Sequence, residues 1–346
     1  MHVEKPLIYD HSWTELANWL SAQGEPGFRT QQIWVGLYQN LIADFGELTT
    51  LPRTLRNEIA AHFDISAVKP IKTIFSEDRQ TTKTLFELGD GCLIETVLML
   101  YEERRTVCIS TQSGCGLGCV FCATGQMGLS RNLSSGEIVA QVLFFARELA
   151  KNQDRITNVV FMGMGEPLHN YDHVMWAVNL LNDPRGFGLG ARRMTISTAG
   201  IVPKIKAFAE EDIQVNLAIS LHTVDTDLRS QLMPINRKHP VAKVLSACKY
   251  YVERTHRRIT FEYALIEGMN DSVDDAHALA QQIKGLLCHV NLIPLNPTRE
   301  FDHRGSQADA VRTFADVLES RQIPCTIRLR RGIEIGAGCG QLAAEA

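Results

Sequence analysis

Thr106-Val-Cys108-Ile-Ser110-Thr-Gln-Ser-Gly-Cys115-Gly-Leu-Gly-Cys119-Val-Phe-Cys122 carries two signals in one stretch. Its first five residues, TVCIS, have the pattern of a short β-strand, and the remainder is a glycine-spaced loop with three cysteines. Downstream the strand signal returns at NVVFMG (158–163), RMTIS (193–197), VNLAISL (215–221), ITFEYAL (259–265) and HVNLIPL (289–295), with TIRLR (326–330) as a late addition. Helical periodicity fills the intervals at Ser135 to Ala150, Asp172 to Leu181, Val241 to Thr255, Asp274 to Leu287 and Gln307 to Arg321. Strands alternating with helices predict a parallel sheet covered by helices. Six such units predict an α/β fold with a partial (β/α)6 barrel rather than a closed eight-fold one.

Upstream of Thr106 the pattern differs. Trp13 to Ala22, Thr30 to Ile42 and Pro52 to Phe63 have apolar residues at helical spacing. Ile71 to Phe75, Lys83 to Leu88 and Cys92 to Leu100 read as strands, with Gly89-Asp90-Gly91 as a hairpin turn. The expected organisation is a small N-terminal helical domain (1–65), a β extension (66–105) and the barrel with a C-terminal cysteine segment (106–346).

The bulk composition sets limits. Of 346 residues 45% are apolar and 21% charged, which is ordinary globular usage. No run approaches the roughly 18 apolar residues of a membrane span. The opening MHVEKPLIYDHSW has no apolar signal core, so a cytoplasmic protein is expected. The net charge of −4 does not announce nucleic-acid binding. Arginines nevertheless cluster at Arg104-Arg105, Arg192-Arg193, Arg254 with Arg257-Arg258, and Arg328 with Arg330-Arg331, and each cluster by itself reads first as solvated surface, with a local basic surface as the alternative.

Nine cysteines without an export signal point to metal or redox chemistry rather than a disulfide framework. Cys248, Cys288 and Cys325 sit in apolar or helical surroundings and read as packed side chains. Cys115, Cys119 and Cys122 form a CxxxCxxC loop. Thiolates are the usual iron–sulfur ligands, and three of them on a cubane leave its fourth iron open. Zinc is the alternative, although its cysteines come more often as paired CxxC motifs with four protein ligands.

Other polar residues fall at the ends of the expected strands. Gly163-Met-Gly165-Glu166-Pro167 follows the second, Ser197-Thr198 ends the third, Ser220-Leu221-His222 the fourth, and Asn296-Pro297 follows the sixth. In barrel enzymes the chemistry sits at these ends, so the groups are expected to converge on one face.

The CxxxCxxC loop after a first barrel strand resembles the signature of radical-SAM enzymes. That resemblance implies a 4Fe–4S cluster on Cys115, Cys119 and Cys122, and S-adenosylmethionine (SAM) cleaved to a 5′-deoxyadenosyl radical. It implies SAM contacts from Gly165, Glu166, Ser197, Ser220, Leu221, His222 and Asn296. Reading outward, residues 110–142, FMGMGEPL (161–168), RRMTISTAGIVP (192–203), LAISLH (217–222), LMPINR (232–237), RRITFEYALIEGMNDS (257–272), VNLIPLNP (290–297), CGQL (339–342) and the N-terminal GFRTQQIWVGLY (27–38) together resemble the RlmN and Cfr family of RNA adenine methyltransferases. GEPL, AISLH and the helical module are most similar to the RlmN branch. Residues 333–338, IEIGAG, depart from the family's pattern of aspartates and an alanine pair.

This resemblance implies methylation of carbon 2 of an adenosine in 23S ribosomal RNA, with transfer RNA as a further substrate of some members. It also implies two SAM per turnover, a methylated Cys339 as intermediate, Glu95 as proton acceptor, and Cys108 forming a disulfide with Cys339 as product leaves. The expected partners are RNA and an external one-electron donor, with no membrane, and the chain is expected to be a monomer. The competing readings are carbon-8 methylation of the Cfr type, a radical-SAM enzyme not acting on RNA, and an RNA-binding module with structural zinc.

Overall fold

The computed structural model describes residues 5–328 and 330–344. After three helices, Trp13–Ala22, Phe28–Tyr38 and Arg53–His62, come strands β1 (Lys69–Phe75), β2 (Thr81–Glu87), β3 (Leu93–Leu100) and β4 (Arg105–Cys108). Two short strands, β5 (Gln112–Cys115) and β6 (Gly128–Asn132), lie within the cysteine loop. The remaining strands are β7 (Asn158–Phe161), β8 (Met194–Thr198), β9 (Asn216–Ser220), β10 (Ile259–Leu265), β11 (Cys288–Pro294) and β12 (Cys325–Ile327).

One ten-stranded sheet runs in the order β1-β2-β3-β4-β7-β8-β9-β10-β11-β12. From β1 to β4 neighbours are antiparallel; from β4 onward every pair is parallel. The expected partial barrel is therefore present: six parallel strands in chain order with a short seventh, β12, at the far edge. The expected TIRLR strand shortens to Cys325–Ile327 at its described end, and Leu329 lies outside the described residues. The β extension joins the barrel sheet directly, because Val97 to Leu100 of β3 pair with Arg105 to Cys108 of β4.

Strand alternation explains why this barrel is hollow. Side chains two apart share a face. On the outer face Val107, Val159, Ile196, Leu217, Phe261 and Val290 are fully buried under the helices. On the inner face polar side chains predominate instead: Thr106, Thr195, Asn216, Thr260, Glu262 and Asn291, with Val160 among them, line a cavity of about 520 Å³. A barrel packed solid would need branched apolar residues at those inner positions.

The helix Ser135–Ala150 starts in a capping box, with Ser134 and Glu137 bonding each other's backbone N–H groups. It also carries the N-terminal module. Arg147 donates from Nη2 to the Tyr9 hydroxyl (3.0 Å) and the Ile42 carbonyl (2.8 Å), and from Nε to the Leu41 carbonyl (2.9 Å). Asp10 accepts from the Gly136 N–H at 2.6 Å, at the positive end of the same helix. The module and the barrel share one apolar core, in which Trp34, Tyr38 and Ile8 belong with Ile138 and Phe145. The second helix begins two residues before the expected Thr30 and ends at Tyr38 instead of Ile42, and Leu41 has a left-handed φ of 56°. That turn presents the Leu41 and Ile42 carbonyls to Arg147.

Replacing Arg147 by Met keeps the apolar stem but leaves three part-buried acceptors without this donor. A loss of about 2–4 kcal/mol is expected, read as a lower midpoint in thermal denaturation. An unchanged midpoint would show that the module is held by apolar packing alone.

Candidate active site

The cysteine loop is fixed as a hairpin by β5 and β6. Gly114 has φ +73°, and a Cβ there would stand 2.0 Å from the Gly128 carbonyl oxygen, so the approach of the two strands requires glycine. Cys115 and Cys119 are buried and Cys122 is half-buried. With Leu117, Phe121, Leu232, Met233 and Ile266 they form an apolar cluster separate from the main core.

Burial pushes the Cys115 thiol up to about 12 and also raises Cys119 and Cys122. Cys119 is raised further by Cys122 and Cys115, so the three thiols face one another across the pocket. Opposing influences stabilise thiolates: the Leu117 N–H on Cys115, the Gly125 and Thr124 N–H groups and the Thr124 hydroxyl on Cys122, and the Arg229 guanidinium on Cys119. Among the described residues no three His, Cys, Asp or Glu side chains gather closely enough to hold one metal ion. Three thiols spread around a dry pocket with N–H groups aimed at sulfur fit a cluster that takes one thiolate per iron.

The second strand end is packed tightly. A Cβ on Gly165, where φ is +100°, would meet the Gln112 side chain at 2.5 Å. Glu166 is buried, and its carboxylate accepts from the Leu168 N–H (2.9 Å) and the Ala199 N–H (2.8 Å). Burial raises its pKa while those hydrogen bonds oppose the rise. The Ser197 and Ser220 hydroxyls lie 3.4 Å apart. Leu221 is fully buried, so it can offer a ligand only its backbone.

His222, at φ 60°, accepts from the Ala264 N–H through Nδ1 at 2.9 Å, which assigns the ring proton to Nε2. Burial, with Arg229 nearby, lowers its pKa to about 3. The imidazole is neutral.

Arg229 ties these strand ends together. It is fully buried and donates to the carbonyls of Ala199 (2.8 Å), Leu221 (3.1 Å) and Ser220 (3.2 Å) and to Asn236 Oδ1 (2.9 Å). Asn270 locks the same region, donating to the His222 and Ala264 carbonyls and accepting from the Ile266 N–H, each at 2.7 Å.

The C-terminal segment lies across this face. The Ala123 N–H donates to the Gly340 carbonyl (2.8 Å) and the Thr124 hydroxyl to the Leu342 carbonyl (2.6 Å), so Cys339 is carried beside the residue after Cys122. Asn296 Nδ2 donates to the Cys339 carbonyl at 3.1 Å. Cys339 is exposed by area, yet its thiol pKa is raised, first by burial, then by Glu262. Both hold for a residue inside a wide chamber, reachable by a solute and walled by protein. Cys108 is half-buried at the end of β4; burial and then Cys339 raise its pKa.

Glu95 is 2% exposed, not solvent-facing. One carboxylate oxygen pairs with Lys83 Nζ (2.8 Å), and the other accepts from the N–H groups of Ala343 (2.9 Å) and Ala344 (3.2 Å). Lys83 also donates to the Gly336 carbonyl at 3.3 Å. The pair fastens both sides of the Cys339 loop.

Residues 109–280 match the Radical SAM superfamily and residues 8–65 the ribosomal RNA large subunit methyltransferase N-terminal domain. A probable dual-specificity RNA methyltransferase RlmN from Chloroflexus aurantiacus is 48% identical, over 99% of this chain and 93% of that protein. The protein of the same name from Bacillus cytotoxicus is 46% identical over 100% of this chain and 95% of its own. The crystal structure of a radical SAM methyltransferase from Sphaerobacter thermophilus superimposes with a TM-score of 0.96 at 47% identity, covering 98% of this chain and all of that one.

The chain belongs to the RlmN family of radical SAM RNA methyltransferases.

Membership brings with it a 4Fe–4S cluster and SAM, and the three-thiol pocket has the donor set for the former. No helix among the described residues is long and apolar enough to cross a membrane.

The disulfide expected between Cys108 and Cys339 as product leaves is not supported by this structure, in which both are free thiols beyond bonding distance. Cys108 is fixed in a strand and Cys339 in a loop pinned by Asn296, Glu95 and Lys83, and burial keeps both thiols protonated.

The expected cofactor and cysteine positions all fall on this face. Sequence reasoning passed over Lys83, Arg229, Glu262, Asn270 and Asn291. The visible signal for Glu262 is a charge inside the otherwise buried strand ITFEYAL, and for Arg229 a charge between Leu228 and Leu232. Lys83 gives none, because alternating strands carry surface lysines routinely.

Replacing Lys83 by Met strands a buried carboxylate without its cation. A loss of about 3–5 kcal/mol is expected, together with faster proteolytic trimming of the C-terminal segment followed by mass spectrometry. Wild-type trimming would show that Lys83 does not hold the segment.

Proposed function

We propose that this chain methylates carbon 2 of an adenosine in 23S ribosomal RNA and in transfer RNA, with Cys339 as carrier of the methyl group. The observation that carries the reading is the chamber shared by two kinds of thiol. Cys339 rides on a segment hydrogen-bonded to Ala123 and Thr124, immediately after the last cysteine of the cluster loop, and it senses both Cys122 and Cys108. A thiol reserved for packing has no reason to stand exposed on a glycine-flanked loop beside a cofactor site.

The cluster with SAM supplies one-electron chemistry that side chains cannot, fed by an external one-electron donor. The rest falls to the chain's own groups. Cys115, Cys119 and Cys122 hold the cluster, and the backbone at Gly165, the carboxylate of Glu166 and the polar groups at Ser197, Ser220, Leu221, His222 and Asn296 frame SAM. With His222 neutral and Glu166 engaged by two N–H groups, this frame is preorganised and adds no mobile charge. The thiol of Cys339, on losing its proton, would accept a methyl group from one bound SAM with S-adenosylhomocysteine leaving, and a second SAM would supply the radical chemistry that joins that carbon to the base.

Asn296 and Glu95 keep Cys339 over the chamber. Glu95 also remains the carboxylate assigned to accept the ring proton, and Cys108 the thiol needed for product release. The domain division at 65 and 105 and the RNA-contacting role of the helical module belong to the same reading. "Dual-specificity" in the relatives' name supports two RNA substrates.

Cys339→Ala is expected to retain iron, sulfide and SAM cleavage but to abolish methyl transfer to RNA, measured by mass spectrometry of digested RNA. Continued methylation would remove Cys339 from the mechanism. Cys108→Ala is expected to accumulate an RNA–protein adduct on denaturing gels; free product at the wild-type rate would make Cys108 a packing residue.

A further inference from the structure

The barrel cavity has a charge pattern that the cofactor chemistry leaves unused. Its floor toward the strand N-termini is rimmed by Arg104, Arg192, Arg257 and Arg258, so three sequence-distant arginine clusters meet at one mouth. Arg328, from the fourth, lines the same cavity from beyond β12. The reason is topological: Arg104 lies just before β4, Arg192 before β8, and Arg257 and Arg258 before β10, and these strands are parallel. A ring of guanidinium groups suits a polyanionic backbone passing over the opening.

Further in, the lining changes sign. Glu262 is the one acidic side chain among the described residues of this cavity. It is 8% exposed and takes part in no ion pair among the described residues; its Oε1 accepts from Asn291 Nδ2 at 2.8 Å. The two residues are direct partners in the β10–β11 register, so their side chains leave the sheet together on its inner face. Glu262 also raises the pKa of the Cys339 thiol, so the two groups lie within electrostatic reach of each other.

A buried carboxyl with a single amide partner is costly and would be replaced by an apolar residue if packing were the only demand. Here it is positioned by Asn291 and presented to a void of mixed lining, in which Met99, Val160 and Met162 stand with the Thr, Asn and Arg side chains. The void, about 520 Å³, is within the usual size of small-ligand sites and can admit an unstacked base.

We infer that Glu262, held by Asn291, recognises the target base by hydrogen-bonding the amino-bearing edge of the adenine drawn into the barrel. The inference rests on the proposed function and names the group that selects adenine at that site. Adenine offers an exocyclic N–H donor beside a ring-nitrogen acceptor on that edge. Burial raises the Glu262 pKa against the opposing influence of Asn291 and Arg328, and in the protonated acid the carbonyl accepts from the amino group while the O–H donates to the ring nitrogen. A glutamine presents the same acceptor–donor pair and an alanine presents neither.

The test uses the reconstituted holoenzyme and two otherwise identical RNA fragments, one with adenosine and one with purine riboside (the amino group replaced by hydrogen) at the methylated position. The wild type should prefer adenosine in kcat/KM by about 10- to 100-fold. E262Q should keep most of that preference, while in E262A it should fall to near unity; where E262A turns over too slowly, the same ratio is read from equilibrium binding of the two RNAs. A purely structural role would lower both rates together and leave the ratio intact. E262A with the wild-type ratio would overturn the inference, as would equal loss of preference in E262A and E262Q. A wild-type enzyme that methylates neither RNA would instead refute the proposed function.

Discussion

Three cysteine thiols packed into an apolar pocket are held neutral by desolvation, and almost every local feature of the strand ends answers that constraint. The β5–β6 hairpin closes the loop that arrays the sulfurs around one pocket, Leu117, Thr124 and Gly125 aim N–H groups at them, and Arg229 sets a buried positive charge against Cys119. Arg229 has carbonyl and amide partners rather than a carboxylate, so its charge stays available to the thiolate site. Burial lowers its own pKa only to about 10, and it remains a cation at neutral pH. Iron bound by the three thiolates would relieve their mutual repulsion and make the pocket's dryness an advantage.

The same economy governs the barrel. Outer faces of the strands carry Val, Ile, Leu and Phe against the helices; inner faces carry Thr, Asn, Glu and Ser. The inner polar file would destabilise a solid core, and here it lines a void open to the arginine rim. At the opposite end the C-terminal segment closes over the chamber through Lys83, Glu95, Thr124 and Asn296. The cysteine loop, the Cys339 segment and the barrel cavity are thus neighbours, although residues 95, 115, 262 and 339 are far apart in the chain.

Much of this was legible from the chain alone. Alternating strand and helix patterns gave the helix Ser135–Ala150 at its observed bounds and put Glu166, Ser197, Ser220, His222 and Asn296 at or just past strand ends, where the structure has them. Periodicity did not reveal the β5–β6 hairpin, whose strands are only four and five residues long and lie inside a glycine-rich loop. It did not reveal that Glu95 is ion-paired, because its partner Lys83 looks like any surface lysine. Convergence of the arginine clusters was equally hidden: each is ordinary by itself, and only the parallel arrangement of the strands brings them to one mouth. The separation of Cys108 and Cys339 was hidden for a related reason, since sequence identifies thiols but not the anchors that keep them apart.

The central claim is that Cys115, Cys119 and Cys122 hold a cubane with one iron open to SAM. Electron paramagnetic resonance of the anaerobically purified, reduced protein, recorded before and after adding SAM, tests it most directly. The account predicts a 4Fe–4S signal whose g-values shift when SAM binds. A protein with no such signal, or with a signal indifferent to SAM, would contradict it.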